Sequence, residues 1–402
     1  PAMARPRAGQ RCNGTRFRCI GSFAVILYLT YNDRPSGVYW SQVTDVVMHL
    51  NTLGMEPVRL VALVSIRKFW STRKAIRLRV PDAIVLPMMP RARYWRMNLG
   101  WVSMVCRRFK PSGIIGRGIF ATHMALEMRE RGKIAKVCLD GRGAYAAEWE
   151  EYRVVDDERL IEQCRPLEAD ALHRSDMRIS VSRALVKHWK ARYGYAGSSY
   201  VVIPCTLGID ISDPVGQDQN AVRAELGWST GDRIMVYAGS TVGWQSLELV
   251  EKQLVPLLAA EPSLKLLFLC EESPETISLM KKFPDQVERR WLRHEQVRRF
   301  LMACDIGILL REDSLTNRVA SPTKFAEYIS AGLPVLISPY LGDLSDLVME
   351  HRLGLGVAED GSVPPIHCPD QKERERLLSV AREQFTKRAH LTSYTRVLEA
   401  LR

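Results

Sequence analysis

Phe23-Ala24-Val25-Ile26-Leu27-Tyr28-Leu29-Thr30 is a continuous apolar, β-prone run, and Asn32-Asp33-Arg34-Pro35-Ser36-Gly37 follows it with turn formers. A run apolar on both faces reads as a strand inside a parallel sheet, because helices cover both sides of such sheets. From Val38 to Leu53, Val43, Val46, Val47 and Leu50 recur at helical spacing, and Gly54 stops them. Together these make one β-loop-α unit.

Working outward, Val58–Val64 and Ala83–Leu86 read as strands, Phe120–Arg131 as a helix, and Ile134–Leu139 as a strand ending at Asp140. The second half repeats the pattern: strand Arg233–Ala238, turn Gly239–Gly243, a helix through Leu258 and strand Lys265–Leu269. Then come strand Asp305–Leu310, helix Pro322–Ala331 and strand Leu333–Ser338. Alternation of this kind predicts an α/β protein of two Rossmann-like, doubly wound domains facing a cleft.

A length of 402 residues agrees, since single cores usually split beyond roughly 250–300. The expected division is a leader over 1–20, a first domain over 21–205, a second over 206–385, and a C-terminal helix over 386–402 that crosses back to the first. Residues 210–220, rich in Asp, Gly and Gln, read as a linker.

No apolar run reaches the roughly 18–20 residues of a membrane-spanning helix. Arg5, Arg7, Arg11, Arg16 and Arg18 precede the first apolar run, but no small-residue cleavage site follows it. The nine cysteines lack any Cys-x-x-Cys, forming neither a disulfide framework nor a metal site, which suits a reducing cytoplasm. No Asp-x-Asp or metal-spaced cluster occurs, so neither a metal nor another cofactor is expected.

The net charge of +12 is unevenly spread, with 34 Lys/Arg against 17 Asp/Glu in residues 1–200 and 23 against 28 in 201–402. Residues 59–110 hold 13 basic residues and one acid, Asp82, among Phe69, Trp70, Tyr94, Trp95 and Trp101. Such a mixture suits an anionic membrane surface, hence a peripheral position on the inner face of the cell membrane. Nucleic acid binding or a merely solvated surface fits the same composition.

The strongest local signal is Ser321-Pro322-Thr323-Lys324, which opens a helix after the loop leaving Asp305–Leu310. Ser321 reads as N-cap and Pro322 as the first helical residue, aiming free N–H groups and a positive dipole at the cleft, as a diphosphate needs. Lys324 and Glu327 share a face, so the amine can neutralise phosphate while the carboxylate accepts from paired sugar hydroxyls. A plain i,i+3 ion pair is the simpler alternative.

Three stretches in this order resemble the donor domain of family 4 glycosyltransferases. They are Trp291-Leu292-Arg293-His294, the segment from Ala303-Cys304-Asp305 to Arg311-Glu312, and that from Asn317-Arg318-Val319-Ala320 through Ser321–Tyr328 to Leu333-Pro334-Val335. The resemblance implies a retaining enzyme of GT-B architecture and bacterial surface-polysaccharide type. Such an enzyme moves a hexose from a nucleotide diphosphate sugar to a lipid-linked or surface glycan acceptor held by the first domain.

In that family two glutamates separated by seven residues mark the donor site. Glu327 matches the second, which takes the nucleotide ribose, whereas Val319 stands at the first. The family's basic pair for the diphosphate is also replaced, by Gly239-Ser240-Thr241-Val242-Gly243-Trp244-Gln245. The catalytic work of stabilising the departing diphosphate therefore falls to Lys324 and Arg311. Ser321, Thr323, Gly239, Ser240 and Gly37 complete the expected nucleotide-sugar contacts, Gly37 by analogy with the family's glycine-rich loop.

Asp140, Arg142 and Arg117 are expected on the acceptor or sugar side, at the end of a strand. A buried Asp–Arg pair is the alternative there. Gly116-Arg117-Gly118-Ile119-Phe120-Ala121 also fits Gly-x-Gly-x-x-Ala with Asp140 at nicotinamide-dinucleotide spacing, so an NAD-dependent oxidoreductase is a rival. A non-catalytic membrane- or nucleic-acid-binding protein is another.

Overall fold

A computed structural model describes residues 25–209, 219–358 and 360–402. The expected leader, Phe23 and Ala24, and most of the linker lie outside the described residues.

Seven parallel strands form the first sheet: β1 Ile26–Tyr31, β2 Val58–Ser65, β3 Ile84–Met88, β4 Gly113–Arg117, β5 Lys136–Gly141, β6 Met177–Ser180 and β7 Tyr200–Val202, ordered β3-β2-β1-β4-β5-β6-β7. Six parallel strands form the second: β8 Arg233–Ala238, β9 Leu264–Leu269, β10 Val287–Arg289, β11 Ile306–Leu309, β12 Val335–Ile337 and β13 Gly354–Gly356, ordered β10-β9-β8-β11-β12-β13. Each sheet is doubly wound, with apolar clusters on both faces. The order reverses between β1 and β4 and between β8 and β11. Crevices beyond the carboxyl ends of strands at such reversals are where open α/β sheets bind ligands.

The first helical stretch runs Gly37–Thr52 but contains a π-helical segment, Trp40–Thr44. The extra residue per turn turns Gln42 inward, where its amide donates to the Thr206 carbonyl at 2.5 Å. The last helix, Leu391–Glu399, packs Tyr394, Val397 and Leu398 into the core of the first sheet.

The two sheets are joined by specific bonds. Glu151 accepts from Leu315 N at 2.9 Å, Thr316 N at 3.0 Å and Thr316 Oγ1 at 2.6 Å, so a carboxylate from one side caps a helix of the other. Asp343 does the reverse, accepting from Arg183 N at 2.6 Å and Ala184 N at 2.9 Å.

Candidate active site

The helix Thr323–Ser330 is fixed by Tyr328. Its hydroxyl accepts from Ala238 N at 2.8 Å and donates to Ile308 O at 3.2 Å, bridging the ends of β8 and β11 where the second sheet reverses. Glu327 and Lys324 ride on that anchored helix. Lys324 Nζ lies 2.6 Å from Glu327 Oε2, and both side chains are partly exposed.

Sequence and structure differ over the helix start. Pro322, in extended conformation, occupies the cap position, and Thr323 is the first helical residue. Ser321 does not cap; it is buried, and its Oγ accepts from Cys205 N at 3.0 Å. The hydroxyl ties the start of this helix to the strand-to-linker segment of the first domain instead. Pro322 supplies no side-chain cap, and of the N–H groups at this helix end Phe325 N turns back to Pro322 O at 3.2 Å.

Arg311 follows β11 at the same reversal and is 4% exposed. Its Nη1 donates to Trp244 O at 2.6 Å, its backbone N–H donates to Ser338 Oγ at 2.8 Å, and among the described residues no carboxylate pairs with it. Burial lowers its pKa, and nearby tyrosines offset this only in part. Across the crevice, Gly239 and Ser240 follow β8, where Tyr237 Oη donates to Ser240 O at 2.8 Å. A Cβ on Gly239 would come within 3.1 Å of that hydroxyl. The reversal of the second sheet therefore brings Arg311, Gly239 and Ser240 together, with the Glu327 helix pinned beside them.

Arg117, Asp140 and Arg142 meet in the first domain as one ion cluster. Asp140, 2% exposed, accepts from Tyr28 Oη at 2.5 Å, Arg117 Nη1 at 3.5 Å and Arg142 Nη1 at 3.3 Å. Asp140 thus sits in a buried Asp–Arg cluster, the alternative left open for it by the sequence. Arg117 continues to Asp33, 3.6 Å away, at the loop after β1. Burial works against the Arg117 charge, but Asp33, Tyr28 and Asp140 outweigh it and hold its pKa above the ordinary value. Arg142 also donates to Gln42 Oε1 at 2.9 Å and to Cys205 Sγ at 3.1 Å. Through Cys205 the cluster reaches Ser321, so Arg117, Asp140 and Arg142 of the first domain connect to one predicted residue of the second.

Gly37 opens the first helical stretch behind Ser36, whose Oγ accepts from Tyr39 N at 3.3 Å. Val319 is 2% exposed and packs among Leu139, Ala147, Leu185 and Trp189 of the first domain. Its carbonyl accepts from Ser182 Oγ at 2.7 Å. The position held by an acid in the resembling family is here an apolar joint between domains.

Sequence reasoning missed Tyr152, whose hydroxyl meets Glu312 Oε1 at 2.7 Å and Ser314 Oγ at 2.8 Å across the domain boundary. It also passed over the state of Glu148, whose carboxyl burial and neighbouring Glu168 push up to about 7. Neither residue carries a local motif.

No family model matches the chain, and no curated protein matches it. Solved structures match its fold. Sucrose-phosphate synthase from Thermosynechococcus elongatus superposes with a TM-score of 0.68 at 14% identity, over 94% of this chain and 99% of that one. HepE from Anabaena, in complex with UDP and glucose, gives 0.68 at 12% identity over 94% and 99%. A protein assigned as a UDP-N-acetylglucosamine 2-epimerase from Listeria monocytogenes gives 0.53 at 12% over 94% and 91%. The architecture is thus GT-B, two Rossmann-like domains around a cleft. Since that fold serves both a synthase and an epimerase, function is argued from the site.

Proposed function

We propose that the chain is a retaining glycosyltransferase that moves a hexose from a nucleotide diphosphate sugar to an acceptor hydroxyl in the interdomain cleft. The observation that carries this reading is Arg311, a buried guanidinium without a carboxylate at the reversal of the second sheet. A buried unpaired charge is unfavourable until an anion arrives, and a diphosphate between Arg311 and the Thr323 helix end satisfies both.

Glu327 then accepts from the ribose hydroxyls, releasing Lys324 to the phosphates. As the sugar–phosphate bond breaks, negative charge grows on the diphosphate, and cations fixed in a water-poor site stabilise it more than they stabilise the bound donor. The leaving oxygen takes the acceptor's proton. The nucleotide sugar is a co-substrate, and the scheme uses no metal. Gly239, Ser240 and Thr323 line the donor, while Gly37 lies on the acceptor side, which the Arg117–Asp140–Arg142 cluster shapes.

The acceptor is a lipid-linked or surface glycan intermediate, met at the inner face of the cell membrane. Support comes from the helix Phe69–Arg79, where Trp70 is 75% and Leu78 83% exposed beside Arg73, Lys74 and Arg77. Such a face suits an anionic bilayer. Among the described residues no helix is long and apolar enough to cross one.

The test is a panel of UDP-, GDP-, ADP- and dTDP-sugars, scored for thermal stabilisation, then for nucleoside diphosphate release and a new glycosidic bond. Stabilisation by one donor with transfer to a membrane-extract acceptor is expected. No stabilisation by any, or conversion of the sugar without nucleotide release, overturns the reading.

A further inference from the structure

The loops that follow β1, β2 and β3 line an open cavity of about 910 Å³ whose lining does not include Arg311. Four cations line it, Arg34, Arg67, Lys68 and Arg91, against one acid, Asp33. Asp33 already faces Arg117 at 3.6 Å. Among the described residues no ion pair joins any of the four cations.

Like charges around one hollow repel, and Asp33 is the single acid among the residues lining it. Their backbones are set as well: Lys68 has φ 57 and Arg91 φ 67, and Asn32 on the same rim has φ 62. Non-glycine residues seldom adopt such angles. The helix Phe69–Arg79 begins at Lys68, so its positive end adds to the field. Val64, Ala75 and Met88 give the cavity an apolar floor.

We infer that this cavity holds the phosphate-bearing end of the acceptor. A single carboxylate offers one negative charge, whereas a phosphomonoester or diphosphate offers about two or more and at least three acceptor oxygens to the four cations. The floor accepts the carbon skeleton beside it. This inference rests on the transferase reading above, and it names the acceptor class as a phosphorylated glycan or lipid.

Titration of the full chain with inorganic pyrophosphate in a calorimeter tests it, using two variants. Arg34→Gln/Arg67→Gln/Arg91→Gly removes cations that are exposed and make no described side-chain bond, and glycine suits the positive φ at 91. Arg311→Met disables the donor crevice. Wild type is expected to bind at two sites; the triple variant loses one by at least about tenfold in affinity and keeps the other, with a shallower salt dependence. Retention of both sites by the triple variant, or a single wild-type site that only Arg311→Met removes, overturns the inference and leaves the donor reading standing. Loss of neither site in Arg311→Met counts against the donor reading instead.

The source of the phosphate is read from phosphatidylcholine vesicles with and without a polyprenyl diphosphate, and from competition by glucose 1-phosphate. Capture by the diphosphate vesicles that the triple variant lacks assigns a lipid carrier. Competition without such capture assigns a soluble sugar phosphate. Absence of both in a wild type that binds donor overturns the inference.

Discussion

Tyr328 holds the helix bearing Glu327 against the end of β8 by accepting the Ala238 N–H at 2.8 Å. The contact depends on Gly307 in β11, where a Cβ would lie 2.5 Å from the Tyr328 ring. Tyr328→Phe should cost about 1–3 kcal/mol, because a buried donor loses its partner. Gly307→Ala should cost more, since backbone or ring must move. Urea unfolding of both variants checks this order; equal stabilities would show that the helix is positioned by other contacts.

Arg311 separates stability from function. Replacing it with Met removes a buried charge that lacks a counterion, so the unliganded protein should be unchanged or more stable by about 1 kcal/mol. The same variant should lose the thermal shift given by a nucleoside diphosphate. A strongly destabilised variant that still responds to nucleotide would make Arg311 a structural residue.

Glu151 makes three bonds across the domain boundary, all to the helix start at Leu315 and Thr316. Glu151→Ala should lower stability by about 1–2 kcal/mol, as loss of a helix cap does. It should also raise the radius of gyration in small-angle scattering as the domains part. An unchanged radius would place the closure elsewhere, in the Val319 joint or the Asp343 cap.

Lys387 provides a pH test. It is 5% exposed, donates to Thr206 Oγ1 at 3.2 Å and Leu207 O at 2.6 Å, and burial lowers its pKa from 10.5 to about 8. The unfolded chain binds the proton more tightly between those values, so stability rises with pH across that window, and the full penalty stands below pH 8. The stability of Lys387→Met relative to wild type should therefore fall by roughly 3 kcal/mol from pH 7.5 to 10.5, at about 1.4 kcal/mol per unit. A pH-independent difference would mean that Lys387 titrates normally.

Where apolar runs are long, the sequence was enough to find the elements. Arg233–Ala238 is read to the residue because five apolar or aromatic positions, Ile234 to Ala238, meet a glycine turn. The strand Gly354–Gly356 was invisible, having two glycines in three residues and lying at a sheet edge. That Arg311 follows a strand was legible from the apolar run before it.

The bonds made by Ser321 were not legible. Its capping chemistry is locally sound, but Cys205, 116 residues away in sequence, takes the hydroxyl in a tertiary contact. Likewise Tyr28 and Asp33 complete the Asp140 cluster from the far side of a sheet reversal that spacing alone does not reveal. Val319 read as a missing acid, and the structure gives that position a different role, as an apolar joint.

The central claim is that Glu327 anchors a nucleoside diphosphate beside Arg311. Calorimetric titration of wild type and Glu327→Ala with UDP, GDP, ADP and dTDP tests it most directly. At least one of these should bind wild type and bind Glu327→Ala more weakly by about tenfold or more, the worth of hydrogen bonds to a charged group. Equal binding by the two proteins, or no binding by either, would contradict the account.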